Sequence, residues 1–160
     1  MKTSDELLGI AREIVGKVRF CMVISVAESG EANARVVEPF PLGEDWSVAF
    51  VTDRSSRKAK EIARNGQLTL AYQLDEDGAY VSLVGWARID ADADAKQAYW
   101  KDGLNQWFPT GCDDPDAVVV RFETDRIELL SLAKAVMPPP KGRRAAVLVR
   151  HTSGWRVTQT

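Results

Sequence analysis

A mainly β chain of the α+β class, closed into a small antiparallel barrel with flanking helices, is predicted by three observations. Six runs rich in β-branched and aromatic residues succeed one another between residues 18 and 130. Two of the turns between them, ESGE at Glu28 to Glu31 and DEDG at Asp75 to Gly78, have the acid and glycine content of hairpin loops. Helical periodicity is confined to short stretches at the start of the chain and between strands. Many short strands with interposed helices suggest a small closed barrel.

The first element is an amphipathic helix over residues 1–17. Thr3 with Glu6 makes a capping-box pattern, and Leu7, Leu8, Ile10, Ala11, Ile14 and Val15 recur with helical period up to Gly16. Strand-like runs follow at Val18 to Ala27, Ala32 to Phe40, Trp46 to Thr52, Gln67 to Leu74, Ala79 to Asp90 and Ala117 to Leu130, and successive strands are expected to pair antiparallel. One helix interrupts them at Ser56 to Arg64, closed by Asn65-Gly66, and another is expected over about Ala91 to Leu104. MPPPKGRR, residues 137–144, reads as a polyproline-like, solvated connector with three cations. A terminal hairpin over 145–159 turns at His151 to Gly154.

All 160 residues are expected to form one domain, long enough to bury a useful core. Lys plus Arg total 21 against 23 for Asp plus Glu, a net charge of -2, so no global field draws nucleic acid and any anion site must be local. Cys21 and Cys112 are too few for a disulfide scaffold, which fits a reducing, cytoplasmic setting. No signal-peptide core opens the chain and no apolar run nears the roughly 20 residues of a membrane helix, so no membrane partner is expected. His151 is the sole histidine, which excludes a readable Ser/His/Asp or Cys/His triad and a Cys/His metal cluster. G-x-G-x-x-G and Walker loops are absent too.

The stretch VAFVTDRSSRKAKEI, Val48 to Ile62, carries the most chemistry. An apolar run ends in Thr52-Asp53, passes Ser55 and Ser56, and meets Arg57 and Lys58 where a helical pattern begins. Free N–H groups and the dipole at a helix start favour an anion, hydroxyls donate to it, and Arg and Lys add full charge. Arg35, in the strand-like run ANARVVEPF, is a further cation able to reach across a sheet. Spacing alone serves equally well a phosphate site and a capped surface helix with solvated charges.

The order of these pieces resembles the flavin-mononucleotide (FMN) site of the pyridoxamine-phosphate oxidase-like superfamily. Downstream, YVSLVGWARID, Trp100 and WFPTGCDDPDAVVVRFETDRIELLS resemble its general stress protein 26 branch, so that the likeness covers roughly Phe20 to Ser131. The resemblance implies a Greek-key antiparallel split β-barrel and a homodimer with FMN in a groove between subunits. It implies that Arg35, Arg57 and Lys58 neutralise the phosphate, with Ser56 donating its hydroxyl and backbone N–H. Main-chain groups of Val36, Val37 and Glu38, with Val51 and Thr52 beside them, would bond the pyrimidine edge of the ring, while the valine side chains themselves read as barrel core. Tyr80, Val81 and Ser82, or Trp107 and Phe108, would reach a neighbouring subunit's ring, Trp107 foremost, whereas Trp86, Trp100 and Phe108 read first as packing residues. Asp113 and Asp114 are expected to brace backbone, with no metal.

Three functions follow. The first is a flavin-dependent oxidoreductase on an unknown small substrate, with reduced nicotinamide as a partner. The others are a non-catalytic flavin-binding stress protein and a split-barrel relative taking haem or a deazaflavin, haem being disfavoured by the single imidazole. No catalytic side chain is assigned. The chain ends WRVTQT where the namesake oxidases carry a basic Arg-Leu-x-Pro type tail, so pyridoxamine-phosphate oxidation is not expected.

Overall fold

The computed structural model describes residues 1–140 and 144–159. Helix α1, Ser4–Lys17, opens with the capping box: Thr3 accepts from the Glu6 N–H and Glu6 accepts from the Thr3 N–H. Its Leu7, Ala11, Ile14 and Val15 are buried in one core with Val23, Phe50, Leu70, Tyr72, Leu83, Phe122 and Leu129. Strands β1, Cys21–Val26, and β2, Ala32–Val37, form the first hairpin through the ESGE turn. Strand β3, Ser47–Asp53, leads into helix α2, Arg57–Arg64. Strands β4, Gln67–Leu74, and β5, Ala79–Asp90, form the second hairpin, closed by Gly78 in the left-handed conformation. Helix α3, Ala93–Ala98, precedes the long strand β6, Ala117–Ser131, and β7, Ala146–His151, with β8, Gly154–Gln159, ends the fold.

All pairings are antiparallel, in the order β2-β1-β4-β5-β6-β7-β8, with β3 on β6. This is a mainly antiparallel α+β fold of split-barrel type, as the sequence predicts. Strand β6 does the splitting. One of its edges pairs with β5, while the other takes β3 against Ala117 to Glu123 and then β7 against Arg126 to Leu129. A bulge at Val84/Gly85 marks the change. There the Thr124 hydroxyl donates to the Trp46 carbonyl at 2.7 Å, and Arg150 donates to the carbonyls of Thr124 at 2.8 Å and Asp45 at 2.5 Å, satisfying groups the broken ladder leaves over.

Three expectations are corrected. Neither β2 with β3 nor β3 with β4 pairs, though each is consecutive: β2 and β4 take the two edges of β1 while β3 lies on β6, and the segment after β2 meets β3 through the Phe40 N–H on the Ala49 carbonyl at 2.8 Å. The third helix stops at Ala98, well short of Leu104, and the chain re-forms as a 3-10 turn over Asp102–Gln106; Gly103 weakens a continuous helix, and the Trp100 indole bonds Asn105 at 3.0 Å and packs on Phe108. In the 137–144 connector, Met137 is a core residue and not solvated, while Lys141, Gly142 and Arg143 lie outside the described residues. Among the described residues no helix is long and apolar enough to cross a membrane.

Candidate functional site

The site is built where β3 hands over to α2. Beyond Asp53 the chain turns tightly, because the Asp53 carboxylate accepts from both the N–H and the hydroxyl of Ser55, each at 2.6 Å, and its carbonyl accepts from the Ser56 N–H at 3.1 Å. The Ser55 hydroxyl, foremost, also holds the Asp53 carboxyl below the usual range. Ser56 is the N-cap of α2, its hydroxyl accepting from the Ala59 N–H at 3.2 Å and lying 3.4 Å from the hydroxyl of buried Thr52. The N–H groups of Arg57 and Lys58 have no acceptor among the described residues. Ser56 thus differs from expectation in part: its N–H is taken by the turn, and the open donors are those of the next two residues.

One turn further along α2, on its buried side, stands Glu61, almost fully buried. It accepts from the hydroxyl of Ser25 in β1, from Asn33 Nδ2 in β2 at 2.9 Å, and from Arg35 Nη2 at 3.4 Å. Arg57 Nε stands 3.9 Å from its other oxygen. Arg35 is committed further, Nη1 donating to Ser25 Oγ at 2.5 Å and to the Asn33 carbonyl at 2.8 Å. The Ser25 hydroxyl and then Arg35 hold the Glu61 carboxyl below its ordinary range. Lys58, half-buried, has no hydrogen bond or ion pair among the described residues. Burial first, then the nearby Arg35 charge, depresses its ammonium, with Asp53 opposing.

A groove of about 650 Å³ runs from Lys58 along the ends of β3 and β2. That volume suits a small-molecule ligand. Val36, Val37 and Glu38 line it from β2, Val51, Thr52 and Asp53 from β3, and Trp107 from the loop after α3. At its far end Glu38 accepts from Arg19 at 3.1 Å and faces Lys101 at 3.7 Å. Arg19 above all holds the Glu38 carboxyl low. Arg19 lies over the ring of Phe20 and Lys101 over that of Phe40, each 4.9 Å from the centroid. Trp107 is 73% exposed, whereas Phe108 behind it is buried.

Seven of the twelve expected residues therefore line one groove: Val36, Val37, Glu38, Val51, Thr52, Lys58 and Trp107. Ser56 and Arg57 stand at its helix end, and Arg35 lies behind it, turned to Glu61. Val36 is not barrel core but 59% exposed, because β2 is the last strand of the sheet order and none of the described residues buries its outer face. Tyr80 and Ser82 lie outside their own chain's groove, on that same outer face. The register runs Val36 to Met22, Met22 to Ala71, and Ala71 to Ser82. Tyr80 borders a separate hollow of about 510 Å³ beside Met22 and Gln73. Trp86, expected to pack, is 57% exposed there.

Asp114 does brace backbone, accepting from Thr110 Oγ1 at 2.8 Å and the Asp116 N–H at 3.0 Å. Sequence reasoning missed Arg19, Phe20, Lys101 and Glu61. Only Glu61 left a local signal, its i,i+4 spacing from Arg57. Among the described residues no three His, Cys, Asp or Glu gather as a metal site would require.

The family model described as pyridoxamine 5'-phosphate oxidase like matches residues 9–133. General stress protein 26 of Bacillus subtilis is 29% identical over 111 residues, 68% of this chain and 77% of that protein. A solved protein related to general stress protein 26 from Clostridium acetobutylicum superposes with a TM-score of 0.72 at 25% identity, over 82% of this chain and 92% of the other. A pyridoxamine 5'-phosphate oxidase-related, FMN binding protein from Nostoc punctiforme superposes with a TM-score of 0.65 over the whole of both chains, at 14% identity.

Proposed function

This chain belongs to the pyridoxamine 5'-phosphate oxidase-like family, and on that premise we propose that its groove binds FMN and that the protein is a flavin-dependent oxidoreductase of a small substrate, with reduced nicotinamide as electron donor. The observation that carries this reading is Lys58, a half-buried ammonium with no hydrogen bond or ion pair among the described residues, beside two open N–H donors of α2. Such a cradle fits a phosphate monoester.

Lys58 and Arg57 neutralise the phosphate, and the Thr52 and Ser56 hydroxyls lie within the same turn to bond it. The extended backbone of Val36 to Glu38 presents donors and acceptors to the ring, with Val51 beside it. Trp107 shields the groove from water. Flavin supplies hydride and electron transfer, and the chain's part is to bind, orient and exclude water. A homodimer completes the site, the outer face bearing Met22, Tyr80, Ser82 and Trp86 packing on a second copy. Cys21 and Cys112, both free, accord with a cytoplasmic setting.

Titration of the purified protein with FMN, followed by fluorescence quenching, tests the reading. Quenching is expected with a Kd of about 1 μM or below, roughly -8 kcal/mol. A protein that leaves FMN fluorescence unchanged while taking up haem or a deazaflavin overturns it.

A further inference from the structure

Glu61 is an odd residue to find on the buried side of a helix. A buried carboxylate is costly unless its charge is matched, and the neutral donors Ser25 and Asn33 ask for no charge, since a glutamine oxygen would accept from either. The two guanidiniums do ask for it. Arg35 meets Glu61 Oε2 from the sheet side at 3.4 Å, and Arg57 approaches Oε1 from the helix at 3.9 Å. Arg35, Arg57 and Lys58 thus crowd one end of the groove, and two carboxylates stand against three like charges, Glu61 between the arginines and Asp53 near Lys58. The balance stays positive, at +1, and favours an anion such as a phosphate monoester.

We infer that Glu61 is the positioning residue of the phosphate end: its carboxylate, anchored by Ser25 and Asn33, holds Arg35 and Arg57 around Lys58 and so makes the groove select a phosphorylated flavin over an unphosphorylated one. Glu61 itself does not line the groove. It acts through the arginines, whose pre-set placement removes the cost of ordering them when the anion arrives. The inference rests on the reading of the groove as a flavin site.

The test compares FMN with riboflavin, which lacks the phosphate, in wild type, Glu61→Gln and Glu61→Asp. Inorganic phosphate, followed by ³¹P line broadening, reads the cradle without any flavin. Glu61→Gln is expected to weaken FMN and phosphate about tenfold, the worth of one charge-assisted bond, while riboflavin affinity stays within about twofold on the same scale. Glu61→Asp, which keeps the charge, should recover part of the loss. Asn33→Ala frees one anchor of Glu61 and leaves the Asn33 carbonyl that Arg35 bonds, and is expected to cost about threefold for FMN alone; it decides the matter if Glu61→Gln does not fold. A Glu61 carboxylate that merely repelled the ligand would make Glu61→Gln bind FMN more tightly, and a merely structural one would leave the FMN-to-riboflavin ratio unchanged. Either result overturns the inference. Wild type that binds phosphate but no flavin defeats the flavin reading only, and the phosphate titrations of the variants then judge Glu61. Wild type that binds neither overturns both.

Discussion

Lys58 and Arg35 stand as two like charges at one end of the groove, and only Arg35 has an ion pair among the described residues. Arg35 is matched by Glu61, whereas Lys58 is depressed by burial and by Arg35 and finds no ion pair among the described residues. An incoming phosphate relieves that tension. Arg57→Ala combined with Lys58→Ala is therefore expected to weaken FMN binding roughly a hundredfold or more, two charge-assisted bonds at about 1.5 kcal/mol or above each. Fluorescence titration of the folded double variant checks it, and unchanged affinity would remove the site assignment.

The same ammonium makes a pH prediction with a definite sign. Its folded pKa lies below the ordinary 10.5, so the folded chain releases the proton before the unfolded chain does. The stability cost of burying the ammonium is present below the folded pKa and is relieved as pH rises from there toward 10.5. Without ligand, Lys58→Met should melt higher than wild type at pH 7, with the gap closing in alkali. FMN affinity of wild type should fall over that alkaline window. Melting curves showing Lys58→Met less stable at pH 7 would contradict the argument.

Gly85 sits at the bulge where β6 changes partners. A Cβ there would lie 1.9 Å from the Glu123 carbonyl oxygen, a backbone atom that cannot swing away. Gly85→Ala should destabilise by about 1–3 kcal/mol or more. Gly9→Ala, in α1 with open space around its Cβ position, is the matched control and should be neutral or stabilising by up to about 1 kcal/mol. Urea unfolding of the two variants checks the pair.

What was legible in the sequence was what is decided locally. Thr3 and Glu6 announce α1 because a capping box is made within four residues, and β4 and β5 were bounded correctly because Gly66, Asp75 and Gly78 punctuate them. The start of α2 at Ser56, Arg57 and Lys58 is legible for the same reason. The pairing of β3 with β6 was not legible, since their partners lie some 70 residues apart and the apolar pattern of β3 suits any neighbour. Nor was the exposure of Val36, because alternation along a strand does not reveal that the strand is the sheet's last. Arg35 is expected to face the anion; its turn toward Glu61 depends on Ser25 across its own hairpin and on Glu61 of α2, 26 residues on, which the strand pattern does not reveal.

The outer face that carries Met22, Tyr80 and Trp86 should be a subunit interface. Light scattering at micromolar concentration is expected to give twice the chain mass of 17.7 kDa. Met22→Glu with Trp86→Glu should shift it to the single-chain mass, since a two-fold interface brings each new carboxylate near its own copy. A wild-type protein of 17.7 kDa that still holds flavin would defeat the proposal.

Turnover, where it occurs, should depend on the flavin and on no thiol or imidazole of the chain. Burial pushes the Cys21 thiol up to about 11, leaving little thiolate at neutral pH, and its neighbour is the buried Tyr72 hydroxyl. Cys112 lies in the 3-10 turn Gly111–Asp113, and His151 closes β7 at an exposed position; neither lines the groove. His151→Ala, and Cys21→Ser combined with Cys112→Ser, should keep nicotinamide-dependent reduction of an artificial acceptor within about twofold of wild type, a barrier change of roughly 0.4 kcal/mol. Stripping the flavin should abolish that activity and adding FMN back should restore it. A large loss of rate in His151→Ala at unchanged flavin occupancy would show a proton passing through that imidazole, which would then have to be brought to the groove of a second copy.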